Sequence, residues 1–390
     1  MDKADCRAIL YVRSQLAATD GRLVRYLTFM KTKQLSYRVF CWDRTASQHA
    51  LSDALSDTDY FALPARSGSR YSNVLKLIRW NLAVFAYCVK NRHSISKVQC
   101  ADFDSVLPCF LFSKLFSRPL VFDSYDRYSD SRVIGYPLKY LVDRIETCIM
   151  HKADFAILPS ECRITQYQLQ STNNLLIIEN VPLFGSSATP GTQDESEKLN
   201  AVLQAITSCR SQIRAVVSYV GILEPKVRGL EHVLNCAVSM PDLVFIIAGA
   251  GPLDSLVSRY AKLHPNIYFL GALDYGKAEQ IMSFSDLHLG LYYLSNPNHR
   301  YAAPNKYYEH LYFGKPLLTS AHTPPGVLVE QWSTGFTIGD TEDELRQFLL
   351  ALDPLLLKIR GEQARSLWLK DYANYYHETF EKRYMEVVSS

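Results

Sequence analysis

The stretch LVFIIAGAGPLDSLV, residues 243–257, places an apolar run directly before a glycine-rich turn. The run is short, and the residues after the turn have apolar positions spaced three to four apart. A short apolar run bounded by glycines predicts a buried strand, and the following spacing predicts a helix. A strand, a glycine turn and a helix in this order are typical of a parallel α/β domain.

The same alternation continues on both sides of this stretch. Apolar runs such as CRAILYV, PLVFDSYD and AVVSYVG alternate with helical segments through most of the chain. Residues 182–200 interrupt the pattern, because they are rich in Pro, Gly, Ser and acidic residues, which favours a surface connection. We therefore predict four parts: two α/β domains at 1–182 and 213–365, a linker region at 183–212 and a C-terminal helix at 366–390.

The composition argues against several classes of protein. No run of apolar residues is long enough for a membrane span, and the N-terminus lacks the order of a signal peptide. The nine cysteines are scattered and never in a CxxC spacing, which indicates a reducing compartment and no structural zinc. Residues 1–183 carry 24 Lys and Arg against 17 Asp and Glu, but no nucleic-acid-binding signature accompanies them. The first half is therefore expected to face an anionic partner other than nucleic acid.

The stretch RYAAPNKYYEHLYFGKP, residues 300–316, predicts a short helix with a polar start. Pro304 suits its first turn and Gly314 its end. A helix amino end attracts phosphate, and Lys306 adds a full charge there. Glu309 lies roughly 6 Å further along the helix, where a carboxylate reaches the ribose diol of a bound nucleotide. The alternative is an ordinary capped helix with a Lys–Glu pair.

Three motifs in one order resemble the nucleotide-sugar domain of GT-B glycosyltransferases, particularly family 4. The first is a strand followed by a glycine and a loop with a cation, in VVSYVGILEPKVRGLEHVL. The second is GAGP, and the third is PNKxxE followed by GKP. The resemblance implies two Rossmann-like domains facing a central cleft, with the C-terminal helix crossing back to the first, acceptor-binding domain. It also implies that a nucleotide sugar, expected to be UDP-linked, contacts Gly221, Arg228, Gly249, Gly251, Tyr301, Asn305, Lys306 and Glu309.

Three positions depart from the family pattern. Tyr301 stands where the family usually has a glutamate that contacts the sugar, Ile222 where an arginine is common, and Tyr125 where a histidine is common. The nucleotide contacts are kept and the sugar contacts are altered. Two alternatives therefore stay open beside glycosyl transfer: a sugar-nucleotide epimerase of the same fold, and a non-catalytic subunit that only binds nucleotide.

Two aspartates in VFDSYDRYSD are candidate catalytic residues. Asp123 and Asp126 follow an apolar run and resemble the DxxD pattern of bacterial exopolysaccharide glucuronosyltransferases, in which an aspartate of this region deprotonates the acceptor. The alternative is that they cap a turn. We interpret Asp102 and Asp104 in ADFDS as turn residues, and expect no metal and no cofactor, since the resemblance implies a metal-independent enzyme.

A basic stretch in the first half predicts docking on a membrane. No acidic residue lies between Asp59 and Asp102, and VLKLIRWNLAVFAYCVK, residues 74–90, has the pattern of an amphipathic helix. The predicted docking residues are Arg70, Lys76, Arg79, Trp80, Lys90 and Arg92. The alternative is a core helix with charges at its solvent edge. We expect a cytoplasmic protein, peripheral on the inner face of the membrane, that transfers sugar to a lipid-linked saccharide in surface polysaccharide or glycolipid assembly.

Overall fold

The chain divides into two compact units in the computed structural model, which describes residues 7–17, 20–44, 57–65, 70–170, 174–185 and 193–390. The first unit is Met1–Pro182 together with Tyr376–Ser390, and the second is Leu183–Tyr375. The predicted C-terminal part began at residue 366, so ten of its residues belong to the second unit.

The first unit is built on a sheet in which all described strand pairs are parallel. The strands are β1 (Ala8–Arg13), β2 (Tyr37–Asp43), β3 (Thr58–Ala62), β4 (Ile95–Ala101), β5 (Leu120–Asp123), β6 (Phe155–Leu158) and β7 (Leu175–Ile177), in spatial order β3-β2-β1-β4-β5-β6-β7. The helices are α1 (Gly21–Thr32), α2 (Arg70–Lys90), α3 (Phe103–Phe116), α4 (Tyr128–Ser131), α5 (Leu138–Lys152) and α6 (Cys162–Tyr167). Parallel strands joined through helices give a Rossmann-like unit.

The second unit repeats this plan with parallel strands in the order β10-β9-β8-β11-β12-β13. Its strands are β8 (Ala215–Val220), β9 (Leu243–Ala248), β10 (Ile267–Gly271), β11 (Leu287–Gly290), β12 (Leu317–Ser320) and β13 (Gly335–Ile338). Its helices are α7 (Gln193–Ser208), α8 (Leu230–Val238), α9 (Asp254–Leu263), α10 (Tyr275–Phe284), α11 (Asn305–Phe313), α12 (Pro324–Gln331), α13 (Glu342–Leu350) and α14 (Pro354–Leu367). The predicted fold class of two Rossmann-like domains is confirmed.

Each sheet of the fold is buried on both sides. In the first unit, α2, α3 and α5 pack on the side that carries Val98, Leu120 and Phe122. In the second unit, the strands β8 and β9 are buried along nearly their whole length. Continuous apolar strands are what parallel sheets covered on both faces require.

The last helix, α15 (Glu381–Ser389), closes the other side of the first sheet. Tyr384 is fully buried, stacks on Phe380 and accepts or donates a 2.6 Å hydrogen bond with Tyr11 of β1. Lys97 of β4 is also buried, and its ammonium donates to the Val387 carbonyl. This packing explains the aromatic residues in the C-terminal sequence.

The region predicted as a linker, 183–212, contains helix α7. Leu199 and Ile206 are buried in the core of the second unit, and Val202 and Leu203 pack beside them. Their spacing of three to four residues is the helical signal, which the acidic residues before it concealed. Among the described residues, no helix combines the length and the apolarity that crossing a membrane needs. All the cysteines in the described part of the chain are free.

Candidate functional site

Two glycine loops meet at the carboxyl ends of β8 and β9. The Gly221 amide donates to the Ala248 carbonyl at 2.9 Å, so the loops begin side by side. Gly249 has a φ of 140°, and a Cβ there would lie 1.8 Å from the Gly221 carbonyl oxygen. A Cβ on Gly251 would lie 2.5 Å from the Leu223 carbonyl oxygen. Gly249 and Gly251 are therefore needed for the backbone-to-backbone contact that shapes the loop after β8.

Lys306 lies in the first turn of α11 and points its ammonium at this loop. A Cβ built on Gly221 would lie 3.2 Å from Lys306 Nζ, and Nζ lies 4.9 Å from the centre of the Tyr219 ring. Among the described residues Lys306 forms no ion pair, although its side chain is half-buried. Burial lowers the pKa of Lys306 to about 8, with Arg228 lowering it further and Glu309 opposing them. An unpaired, poorly solvated cation of this kind favours an anionic ligand.

The amino end of α11 offers further donors for an anion. The helix begins after Pro304, which makes no side-chain cap hydrogen bond, and Asn305 is exposed at the first position. Uncapped N–H groups and the helix dipole together attract phosphate. Gly314 ends the helix in the left-handed conformation, with φ of 62°, as the sequence predicted.

Glu309 lies one turn further along α11 and is buried. Tyr275 of α10 donates a 3.3 Å hydrogen bond to its Oε1 atom. Burial raises the pKa of Glu309, while Lys306 and the Tyr275 hydroxyl act in the opposite direction. A buried carboxylate that accepts from a neutral hydroxyl retains acceptor capacity for hydroxyl groups of a ligand.

Arg228 completes the cationic side of the site. Its guanidinium lies 4.9 Å above the Tyr292 ring, and its Nε lies 3.4 Å from the neighbouring Glu224 carboxylate. Arg228 and Lys306 line one pocket of about 200 Å³ at the carboxyl ends of β8 and β11. Its other walls include Tyr219, Ile222, Tyr292 and Pro304.

A larger pocket, of about 730 Å³, lies at the opposite end of the same strands. Arg214 and Pro316, which line it, immediately precede β8 and β12. Open α/β sheets bind ligands at the carboxyl ends of their strands. We therefore assign the candidate site to the smaller pocket, which is also lined by Lys306.

The structure thus brings Gly221, Arg228 and Lys306 together, with Glu309 one turn away on the same helix. Tyr301 is half-buried at the end of a 3-10 turn, Pro297–Tyr301, before α11. Three tyrosines that the sequence analysis did not select also belong to the site: Tyr219, Tyr275 and Tyr292. Tyr292 lies two residues after the end of β11, and such a position at a strand's carboxyl end is the signal that identifies it.

In the first unit, Asp123 ends β5 but is held by an arginine. Asp123 is 1% exposed, and Arg22 donates from Nε to both carboxylate oxygens at 3.1 Å and from Nη2 at 2.8 Å. Arg22 also donates from Nη1 to the Ile178 carbonyl at 2.6 Å. A buried carboxylate engaged in this way by a guanidinium is a poor proton acceptor for a substrate.

Asp126 is the more accessible of the two predicted aspartates. Its side chain is 49% exposed, and Arg163, itself buried, donates to it at 2.6 Å. The ion pair orients the carboxylate, and about half of the side chain remains exposed to solvent. Tyr125, between the two aspartates, donates to Asp20 at 3.2 Å and packs under the Arg13 guanidinium.

Asp102 and Asp104 do not act as simple turn residues. Asp102 stands at the N-cap of α3 without capping it; it pairs with Arg13 and accepts from the Tyr125 amide at 2.9 Å. Burial raises the pKa of Asp102, although Arg13 opposes the shift. Asp104 accepts from Arg132 at 3.1 Å. Among the described residues, no three His, Cys, Asp or Glu side chains form a group that could hold a metal ion.

One predicted docking residue needs correction. Trp80 is fully buried, stacks on Phe40 and donates to Ser105 Oγ at 3.2 Å, so it belongs to the core of the first unit. Of the cations, Arg79 and Lys90 are exposed, while Lys76 and Arg92 are half-buried. The side chain of Arg70 lies outside the described part.

Comparison with known proteins gives the fold. No family model and no curated protein matches the sequence. The structure is similar to that of Anabaena Alr3699/HepE in complex with UDP and glucose, with a TM-score of 0.70 at 16% identity over 98% of this chain and 100% of that one.

Two further solved structures share this likeness. The sucrose-phosphate synthase of Thermosynechococcus elongatus has a TM-score of 0.69 at 15% identity, over 98% of this chain and 100% of that one. WaaG, a glycosyltransferase involved in lipopolysaccharide biosynthesis, has a TM-score of 0.64 at 14% identity over the same shares. At these identities the likeness shows the fold alone: the chain shares with these structures a fold of two Rossmann-like domains.

Proposed function

We propose that the chain is a glycosyltransferase that moves a sugar from a UDP-linked donor to a saccharide acceptor. The observation that carries the proposal is Lys306, a half-buried cation without an ion-pair partner among the described residues, placed between a glycine loop and a helix amino end. A diphosphate supplies the missing negative charge, and a leaving diphosphate is stabilised by the same groups during transfer. The UDP complexes of the similar HepE structures support this choice of ligand.

The donor contacts follow from the geometry of α11. The diphosphate contacts the Gly221 loop, Arg228 and Lys306, with Asn305 beside it at the helix start. Glu309 accepts the ribose hydroxyls, with Tyr275 holding its other side. Gly249 and Gly251 act by holding the Gly221 loop in place rather than by touching the nucleotide. Tyr301 takes the position of a sugar contact.

We propose Asp126 as the base that accepts the proton of the acceptor hydroxyl. Its half-exposed carboxylate is oriented by Arg163, whereas Asp123 is engaged by Arg22. An oriented carboxylate within hydrogen-bond reach of a hydroxyl is what general-base catalysis requires. The proposed reaction needs neither a cofactor nor a metal, so a chelator is expected to leave turnover unchanged.

The test is product analysis with the purified chain. A panel of UDP-sugars is first ranked by the rise in melting temperature, since a ligand that binds the folded state stabilises it. The best donor is then incubated with saccharides and lipid-linked saccharides, and the products are identified by mass spectrometry. A new glycoside supports the proposal, an isomerised donor assigns the chain to the epimerases instead, and binding without turnover indicates a non-catalytic subunit.

We further propose that the acceptor is a lipid-linked saccharide at the inner face of the membrane, in polysaccharide or glycolipid assembly. The support is the basic charge of residues 1–183 and the exposed cations Arg79 and Lys90. An acceptor panel that differs only in the presence of the lipid separates this proposal from transfer to a free saccharide.

A further inference from the structure

Three helices form the outer layer on one side of the first sheet. Helix α2 packs against α3, and α3 packs against α5. Each of them runs back between two parallel strands, so the three helices point the same way and lie side by side. Their inner faces are the core of the unit: Trp80 of α2, Phe112 of α3 and Ile149 of α5 are buried.

The outer faces of these helices are also apolar. Leu75, Ile78 and Leu82 are spaced along one face of α2 and are 68%, 51% and 65% exposed. On α3 a helical spacing of four residues exposes Leu107, Leu111 and Leu115. At the start of α5, Leu138 and Leu141 are more than half exposed, and Tyr136 is 79% exposed just before it. We call Leu75, Ile78, Leu82, Leu107, Leu111, Leu115, Tyr136, Leu138 and Leu141 the outer apolar face.

Single exposed leucines are common on protein surfaces, but rows of exposed apolar residues on neighbouring packed helices are unusual. In a monomeric protein the outer helices of a Rossmann-like unit normally expose polar residues to solvent. Helices α2 and α3 are apolar on both their inner and outer sides. A face of this kind is typical of a surface that binds a partner.

The charges around this face identify the partner. Arg79 and Lys90 of α2, Lys114 of α3 and Arg144 of α5 are exposed. Helix α2 contains no acidic residue, and the acidic residue of α3, Asp104, is buried. A surface that is apolar and cationic at once matches the interface of a bilayer with anionic lipids.

We propose that the outer apolar face docks on an anionic lipid membrane, with α2 and α3 lying in the plane of the interface. The leucines enter the boundary between head groups and acyl chains, and the four exposed cations contact the anionic head groups. A second copy of the chain would place cations against cations, which disfavours self-association through this face. The inference does not rest on glycosyl transfer.

Sedimentation of the full chain with lipid vesicles tests the proposal. Vesicles of phosphatidylcholine alone are compared with vesicles that contain phosphatidylglycerol, at low and at high salt. We expect binding that requires the anionic lipid and weakens with salt. The double variant Leu82→Gln/Leu111→Gln is expected to bind about 10- to 100-fold more weakly, since each leucine loses its apolar burial. The double variant Arg79→Gln/Lys90→Gln is expected to bind about tenfold more weakly at low salt.

The matched control is Leu263→Gln/Leu350→Gln, which changes two leucines of similar exposure in the second unit. This control is expected to bind as the unchanged chain does. Binding that is absent, indifferent to lipid charge, or lowered equally by the control overturns the proposal. Analytical ultracentrifugation gives a further check: a dimer that the Leu82→Gln/Leu111→Gln change dissociates assigns the face to a second copy instead. Nucleotide binding is measured in parallel, so failure of docking is distinct from failure of the donor site.

Discussion

The depressed pKa of Lys306 makes nucleotide affinity depend on pH in a defined direction. In the free protein, burial lowers this pKa to about 8. Binding of a diphosphate beside Nζ stabilises the charged form, so the complex holds a proton that the free protein loses above that pH. Affinity for UDP is therefore expected to fall as the pH rises through about 8.

The size of the effect follows from the protonated fraction. With a pKa of about 8, this fraction is about 90% at pH 7 and about 10% at pH 9. If the bound lysine stays charged over this range, affinity falls about tenfold, which is about 1.4 kcal/mol. The terminal phosphate of UDP is fully ionised above its pKa of about 6, so the ligand adds little to the slope.

The measurement is isothermal titration calorimetry with UDP at several values of pH and in buffers of different ionisation enthalpy, which also counts the protons taken up. Lys306→Arg is expected to remove the slope, because arginine stays charged throughout. Lys306→Met is expected to bind more weakly at pH 7 and also without the slope. A flat profile for the unchanged chain, or an equal slope in both variants, would refute the assignment of the diphosphate to Lys306.

Four further predictions concern carboxylates. Glu309→Ala is expected to weaken UDP binding by about 1.5–3 kcal/mol in calorimetry, because hydrogen bonds to a charged group are lost. The control is Glu279→Ala on the neighbouring α10, which should change the affinity for UDP little. Asp126→Asn is expected to lower turnover about 10²- to 10⁴-fold with donor affinity unchanged. Asp123→Asn is expected to lower the free energy of unfolding by about 3–5 kcal/mol, because it leaves Arg22 buried without its charged partner. If Asp126→Asn keeps more than a tenth of the turnover, Asp126 is not the base. Burial raises the pKa of Glu146 to about 8. The free energy of unfolding is therefore expected to fall as the pH rises from about 4.5 through 8, because the buried carboxyl group must then ionise. Glu146→Gln should flatten this decline in urea unfolding at pH 5, 7 and 9, and an unchanged pH profile would contradict the buried, protonated state.

The fold could be predicted from local pattern because each of its units depends on short-range signals. Glycines after apolar runs mark the loops after β8 and β9, and Pro304 and Gly314 bracket α11. Helix α7 escaped prediction because acidic and Gly-Ser-rich residues at its start dominated the composition of 183–212. Composition averages over a window, whereas burial of Leu199 and Ile206 depends on spacing alone.

The roles of the polar residues were harder to predict, because their partners are distant in sequence. Asp123 is paired with Arg22, which is 101 residues earlier in the chain. Nothing in the DxxD spacing distinguishes the buried carboxylate of Asp123 from the half-exposed carboxylate of Asp126. Trp80 presents the same difficulty: a large aromatic residue on an amphipathic helix suits an interface or a core, and the rings of Phe40 and Trp42 decide for the core.

The two units differ in how their charged groups are compensated at the carboxyl ends of their strands. In the first unit, the carboxylates of Asp102, Asp123 and Asp126 each have an arginine partner. In the second unit, Lys306 has no such partner among the described residues, and burial already disfavours its charge. A bound anion relieves this imbalance in the second unit, whereas these three carboxylates of the first unit are already compensated. This difference supports the proposal that the nucleotide binds to the second unit and the acceptor to the first.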